Sequence, residues 1–97
     1  KVIIEAPQLT GEEIHRAVNL CIQAGADYVK TSTGWYPSHP SVLSHIQLMS
    51  DAAKGRIKIK AAGGIRTLET IRAMEKAGCD RFGISISSAL KLFHDLY

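Results

Sequence analysis

The sequence predicts a parallel α/β fold of four strand-helix units, and three observations carry that reading. Short apolar or β-branched runs alternate with longer stretches whose apolar residues recur every three or four positions. Most of the longer stretches open on a capping residue or a proline and stop at a glycine. A short motif also repeats: Ala24-Gly25-Ala26-Asp27 and Ala77-Gly78-Cys79-Asp80 each stand between a helical stretch and the strand after it. Strands joined by connections of this length run parallel, because only a long crossover returns the chain to the same end of the sheet. All the strand-to-helix loops then lie on one face.

The elements follow in order. Val2 to Glu5 reads as the first strand. Thr10-Gly11-Glu12-Glu13 is a capping box, in which the Thr10 hydroxyl and the Glu13 carboxylate satisfy free backbone donors reciprocally. The helix it opens carries Ile14, Ala17, Val18, Cys21 and Ile22 on one face, and Gly25 supplies the left-handed conformation that ends it. Asp27 to Thr33 is the second strand, followed by the loop Gly34-Trp35-Tyr36-Pro37-Ser38-His39. Pro40 suits a first helical turn, so the second helix is expected to start there, with Val42, Leu43, Ile46, Met49 and Ala53 facing inward and a stop near Gly55. Arg56 to Ala62 is the third strand, Thr67 caps a third helix that stops at Gly78, Arg81 to Ser85 is the fourth strand, and a last helix runs from about Ser87 to Leu96.

Composition bounds what such a fold can do. With 97 residues, 45% hydrophobic and 22% charged, the chain has room for one core and is neither disordered nor fibrous. Its longest apolar runs fall far short of the ~20 residues of a spanning helix, and no secretory signal is present, so the reading is a soluble, cytoplasmic protein without a membrane partner. The net charge of +3 comes from twelve Lys and Arg interleaved with nine Asp and Glu, a pattern that suits small anions rather than nucleic acid. Cys21 and Cys79 sit in no metal or redox spacing and read as reduced, buried hydrophobes. His15, His39, His45 and His94 include no pair at metal spacing and read as surface or interface residues, so no metal site is expected. Arg56, Arg72, Lys76 and Arg81 read as solvated charge.

Two lysines stand out. Lys30 lies within the β-forming run Tyr28-Val29-Lys30-Thr31-Ser32-Thr33-Gly34, and Lys60 lies near the end of Ile57-Lys58-Ile59-Lys60-Ala61-Ala62-Gly63-Gly64. A lone strand lysine is ordinarily a snorkelling or ion-paired residue. Two on neighbouring strands, both near the carboxyl ends where parallel α/β sheets place their active sites, point to chemistry. At roughly 6 Å and an effective dielectric near 20 their repulsion is about 3 kcal/mol, equivalent to roughly two pKa units. One amine then gives up its proton near neutrality, which is what attack on a carbonyl to form a Schiff base requires. Lys58 shares the parity of Lys60 but lies one pleat deeper, where a structural ion pair is expected.

Glycine marks a second function. Gly63-Gly64-Ile65-Arg66-Thr67 leads from a strand into a helix amino terminus, where free N–H groups and the helix dipole let an anion approach closely. Gly83-Ile84-Ser85 followed by Ser87 and Ser88 repeats the arrangement one unit later. In eight-stranded barrels a phosphate often sits at the loops after the last two strands, which these two would be.

Val29-Lys30-Thr31-Ser32-Thr33-Gly34 together with Lys60-Ala61-Ala62-Gly63-Gly64-Ile65-Arg66-Thr67, preceded by Lys1-Val2-Ile3-Ile4-Glu5, resembles the deoxyribose-phosphate aldolase family. The resemblance implies a (β/α)8 TIM barrel, of which residues 1–97 supply the last four units as a C-terminal half-barrel. It implies reversible cleavage of 2-deoxy-D-ribose 5-phosphate to D-glyceraldehyde 3-phosphate and acetaldehyde, without metal or other cofactor. Lys30 would be the Schiff-base nucleophile, and Lys60 the second lysine that depresses its pKa and assists proton transfer. Thr33 and Gly34 would line the substrate path, and Gly63, Gly64, Arg66, Gly83 and Ser85 would hold the phosphate. Two positions depart from the family pattern: Ile84-Ser85-Ile86 stands where many members have consecutive serines, and Trp35 where some have a lysine. Trp35 would close over the substrate or pack between subunits.

The family places a catalytic aspartate on an earlier strand, and this sequence has no counterpart; Glu5 is not assigned that role. Four strands curved for a barrel leave two open edges and an apolar concave face, both of which invite pairing. The chain is expected to be a piece of a longer enzyme, since it starts directly in a strand, or else a half-barrel completed by a separate amino-terminal chain or by a second copy of itself. Rival functions are a non-catalytic phosphate-binding or assembly half-barrel and a lysine-dependent aldolase for another sugar phosphate.

Overall fold

The computed structural model describes residues 1–36 and 38–96. The elements alternate as expected: β1 (Val2–Ile3), a single 3-10 turn (Ala6–Gln8), α1 (Gly11–Gln23), β2 (Tyr28–Lys30), α2 (Leu43–Ala53), β3 (Lys58–Ala62), α3 (Leu68–Lys76), β4 (Arg81–Gly83) and α4 (Ile86–Leu96). The strands form one parallel sheet in sequence order. Register aligns Ile3 with Lys30, Lys30 with Lys60, and Lys60 with Arg81.

Period-two alternation gives the sheet two unlike faces. Val29, Ile59 and Ala61 are buried beneath the helices, in a core with Ile14, Val18 and Cys21 of α1, Ile46, Met49, Ala52 and Ala53 of α2, and Met74 of α3. Cys79 joins this core, and both cysteines are free thiols, as read from the sequence. The alternate positions, Tyr28, Lys30, Lys58, Lys60 and Arg81, point to the other face, which is therefore cationic and not the apolar surface expected, because the period-two alternation places the strand lysines there. Among the described residues no helix covers that face with comparable packing. α4 contributes one buried residue, Leu92, and leaves Ile86, Leu90, Phe93 and Leu96 exposed.

The repeated motif has a structural cause. At the end of α1, Gly25 takes φ 77° and the N–H of Ala26 reaches the Cys21 carbonyl at 3.1 Å. At the end of α3, Gly78 takes φ 114° and the N–H of Cys79 reaches the Met74 carbonyl at 3.0 Å. Both are glycine-terminated helix ends that turn the chain into the next strand. Adding a side chain at Gly78 would bring its Cβ into the Ser50 hydroxyl as well.

Several boundaries move. The capping box at Thr10 is as expected, with Glu13 N–H on Thr10 Oγ1 at 3.2 Å and Thr10 N–H on Glu13 Oε1 at 2.9 Å. The second helix, however, starts at Leu43 rather than at Pro40, because Pro40 is packed against Gly64 in the loop. His45 then has a local role that its sequence position did not announce: its Nδ1 accepts the Val42 N–H at 3.1 Å, satisfying one free donor of α2. Burial pushes the His45 imidazole below its ordinary pKa, which keeps the ring available as an acceptor. Arg56 is not simply solvated. Its guanidinium group donates to the Ala53 and Ala52 carbonyls and to Asn19 Oδ1, closing the carboxyl end of α2. Of the loop after β2, Pro37 lies outside the described residues.

Candidate active site

The chain brings Lys30 and Lys60 together. They are direct neighbours on β2 and β3, on the open face, and both are partly buried. Adjacent strands are about 4.8 Å apart, so the two ammonium stems run side by side. Lys60 is held below the usual lysine range, by burial first and then by the positive charges of Lys1, Lys30 and Arg81. The carbons near the Lys60 amine pass over Gly83: a Cβ there would sit 3.5 Å from Lys60 Cε and 3.3 Å from Ala62 Cβ. Glycine at 83 therefore leaves room for the lysine.

The expected ion pair of Lys58 is replaced by a different contact. Lys58 is exposed, and its Nζ lies 5.9 Å from the centre of the Tyr28 ring. The Arg81 guanidinium lies 4.8 Å from the same ring, so this residue is not simply solvated either.

The five residues expected to hold a phosphate converge. Gly63, Gly64, Arg66, Gly83 and Ser85 line one cavity of about 190 Å³, together with Ile65, Ile84 and Ser88. It lies at the amino termini of α3 and α4. Thr67 caps α3, accepting the Thr70 N–H at 3.1 Å. Ser85 caps α4, accepting the Ser88 N–H at 3.2 Å and lying 2.9 Å from Ser88 Oγ. Gly63 and Gly64 have φ of 96° and 75°, and a Cβ on Gly64 would come 2.6 Å from Pro40 Cβ. Glycine is required at 64 on both counts.

A second cavity, of about 150 Å³, shares Gly63, Gly64 and Arg66 with the first and adds Gly34, Ser32, Tyr36, His39, Pro40 and Glu5. Thr33 stands beside it, held by Glu5: the Glu5 carboxylate accepts the Thr33 hydroxyl at 2.7 Å and the Thr33 N–H at 3.2 Å. Glu5 itself takes a left-handed backbone, φ 53°, which turns its side chain back across the end of β2. Trp35 is 80% exposed.

Sequence reasoning missed a buried hydroxyl network beneath these loops. Thr31 Oγ1 accepts the Ala62 N–H at 3.0 Å and donates to the Ala62 carbonyl at 3.1 Å. Ser41 Oγ lies 2.6 Å from that carbonyl, 2.7 Å from Thr31 Oγ1 and 2.8 Å from Ser32 Oγ. The Ser41 N–H also donates to the Gly63 carbonyl at 3.1 Å. The network ties the end of the Lys30 strand to the start of the glycine loop. Thr31 and Ser32 were visible beside Lys30, but nothing in the sequence marks Ser41. Among the described residues no cluster of three or more His, Cys, Asp or Glu could hold a metal ion, and no helix is long and apolar enough to cross a membrane.

A parallel sheet with its loops gathered over a lysine pair and a glycine-lined cavity is part of a (β/α)8 barrel of the aldolase type. The solved structure of an aldolase designated QR15 superimposes with a TM-score of 0.88 and 49% identity, over 98% of this chain and 42% of that one. Deoxyribose-phosphate aldolase of Aquifex aeolicus is 55% identical over 85 residues, 88% of this chain and 38% of the relative. That of Klebsiella pneumoniae is 43% identical over 96 residues, 99% of this chain and again 38% of the relative. No family model matches. The chain belongs to the deoxyribose-phosphate aldolase family, and it spans less than half the length of these relatives.

Proposed function

We propose that the chain is the lysine-bearing C-terminal half, residues 1–97, of a Schiff-base aldolase that cleaves 2-deoxy-D-ribose 5-phosphate once the rest of the barrel is in place. The observation that carries this reading is the direct register of Lys30 with Lys60 on the open face, beside the cavity shared by Gly63, Gly64, Arg66, Gly83 and Ser85.

Lys30 is the nucleophile. Lys60, whose proton affinity is lowered by burial and by neighbouring positive charge, is the base beside Lys30 that takes its proton. The Lys30 nitrogen then adds to the aldehyde carbon, water leaves, and an iminium forms. The hydroxyl of the third carbon gives its proton to solvent as the bond between the second and third carbons breaks, sending its electron pair into the iminium to give an enamine and leaving the third carbon as the aldehyde of glyceraldehyde 3-phosphate. Protonation of the enamine and hydrolysis release acetaldehyde and return the amine. The phosphate is held by backbone N–H groups at the starts of α3 and α4 and by Arg66. Thr33, fixed by Glu5, and Gly34 border the path of the sugar.

Borohydride trapping tests the assignment. Incubation of the barrel assembly with acetaldehyde, reduction and peptide mapping by mass spectrometry should place the adduct on Lys30. An adduct on Lys60 alone, or none on a folded protein, would overturn it.

A further inference from the structure

One pleat below Lys30 and Lys60, the open face of the sheet carries a second cationic group. Tyr28 pairs in register with Lys58, and three cations converge on its ring: Lys1 Nζ at 5.7 Å, Lys58 Nζ at 5.9 Å and, reaching over from a residue in register with Lys60, the Arg81 guanidinium at 4.8 Å. With Arg56 they surround a basin of about 700 Å³ whose lining includes one carboxylate, Asp27. An aromatic face attracts each cation but cancels none of its charge. Closing a barrel over the basin withdraws these groups from water, and buried cations are retained where a carboxylate pairs with them. Two copies of this chain set face to face would instead bring two such basins together, with the Lys30–Lys60 pair of each copy above its own.

We propose that the open face is completed by barrel strands bearing carboxylates at inward positions one pleat below the lysine pair, and that this charge requirement selects those strands over a second copy of the chain. The inference rests on the barrel-completion reading above and adds the chemistry of the partner surface. The outer edges of β1 and β4, unpaired within the sheet, supply the backbone hydrogen bonds on which such strands add. The relatives, of whose length this chain spans 38%, leave enough sequence to supply them.

The test co-expresses this chain with the part of the Aquifex aeolicus relative outside the matched segment, and measures assembly by native mass spectrometry and sedimentation across a salt series. A 1:1 assembly is expected, with its association constant lowered at least tenfold by Lys58→Met combined with Arg81→Met and kept by Lys58→Arg with Arg81→Lys. The chain alone should self-associate more strongly once the same two cations are removed. Circular dichroism of each variant separates these effects from misfolding. A 1:1 assembly indifferent to the methionine pair overturns the charge requirement and leaves barrel completion standing. Absence of any assembly with the charge-preserving and unsubstituted chains overturns both. A homodimer of the unsubstituted chain as tight as the mixed assembly overturns the selectivity.

Discussion

The two faces of the sheet are made from the same strands and differ in almost every physical respect. Toward the helices, Val29, Ile59 and Ala61 alternate into a closed core in which Ile14, Ile46, Met49 and Met74 are fully buried. Toward the open side, the residues between them are Tyr28, Lys30, Lys58 and Lys60, with Arg81 alongside. The helix-facing side holds the chain together, and the open side carries the lysine pair and is not covered by comparable helix packing among the described residues. Substitutions on the two sides should therefore fail in different ways.

The largest expected effect is on the open face. Lys30→Met should lower turnover of deoxyribose 5-phosphate by the barrel assembly by about 10³-fold or more, over ~4 kcal/mol of transition-state stabilisation, while the circular dichroism and melting of the protein stay unchanged. A comparable loss of stability would erase the distinction between the faces. On the closed face, Ile46→Ala should cost about 2 to 5 kcal/mol in chemical denaturation, because Ile46 is fully buried between α2 and its neighbours. Its effect on turnover of the protein that remains folded should be small.

Ser41→Ala probes the seam between the faces. It deletes a buried hydroxyl that touches Thr31, Ser32 and the Ala62 carbonyl, and should destabilise by about 1 to 3 kcal/mol. Because the lost hydroxyl also holds the Ala62 carbonyl directly before Gly63, the same variant should raise KM for the phosphorylated substrate more than it changes kcat, a split that steady-state kinetics reads directly.

The smallest effect is electrostatic. Lys60 titrates below the ordinary lysine value, from burial first and then from Lys1, Lys30 and Arg81. Between its folded and unfolded pKa the unfolded chain binds the extra proton, so stability rises with pH through that window, and the penalty is complete below it. Lys1→Met, or added salt, should move the Lys60 midpoint upward in a side-chain NMR titration and flatten that rise. A midpoint indifferent to both would mean that neighbouring charge does not reach Lys60.

Much of the fold was legible because local signals agreed with one another. The Thr10 capping box, Gly25, Gly78 and the three-and-four spacing of Ile14, Val18 and Cys21 each specify one element, and each element formed. The start of α2 was misread because a proline suited to a first helical turn also suits packing on a glycine, and Gly64 is 24 positions away in sequence. The lysine pair was visible because Lys30 and Lys60 interrupt apolar runs near glycine-ended strands. Ser41, the Glu5 contact with Thr33 and the cations over Tyr28 were not, since each depends on pairing between strands that no single stretch of sequence displays. Arg56 was legible in principle: an arginine directly after a helix-ending glycine is well placed to reach the last carbonyls.

On the proposed reading, this chain carries the reacting amine and depends on other strands to use it. Turnover of deoxyribose 5-phosphate, followed as acetaldehyde release for this chain alone and for its 1:1 assembly with the remaining barrel segment, tests that most directly. The prediction is turnover by the assembly that Lys30→Met abolishes, and none above background by the chain alone. Equal turnover by the isolated chain, or turnover by the assembly that survives loss of Lys30, would contradict it.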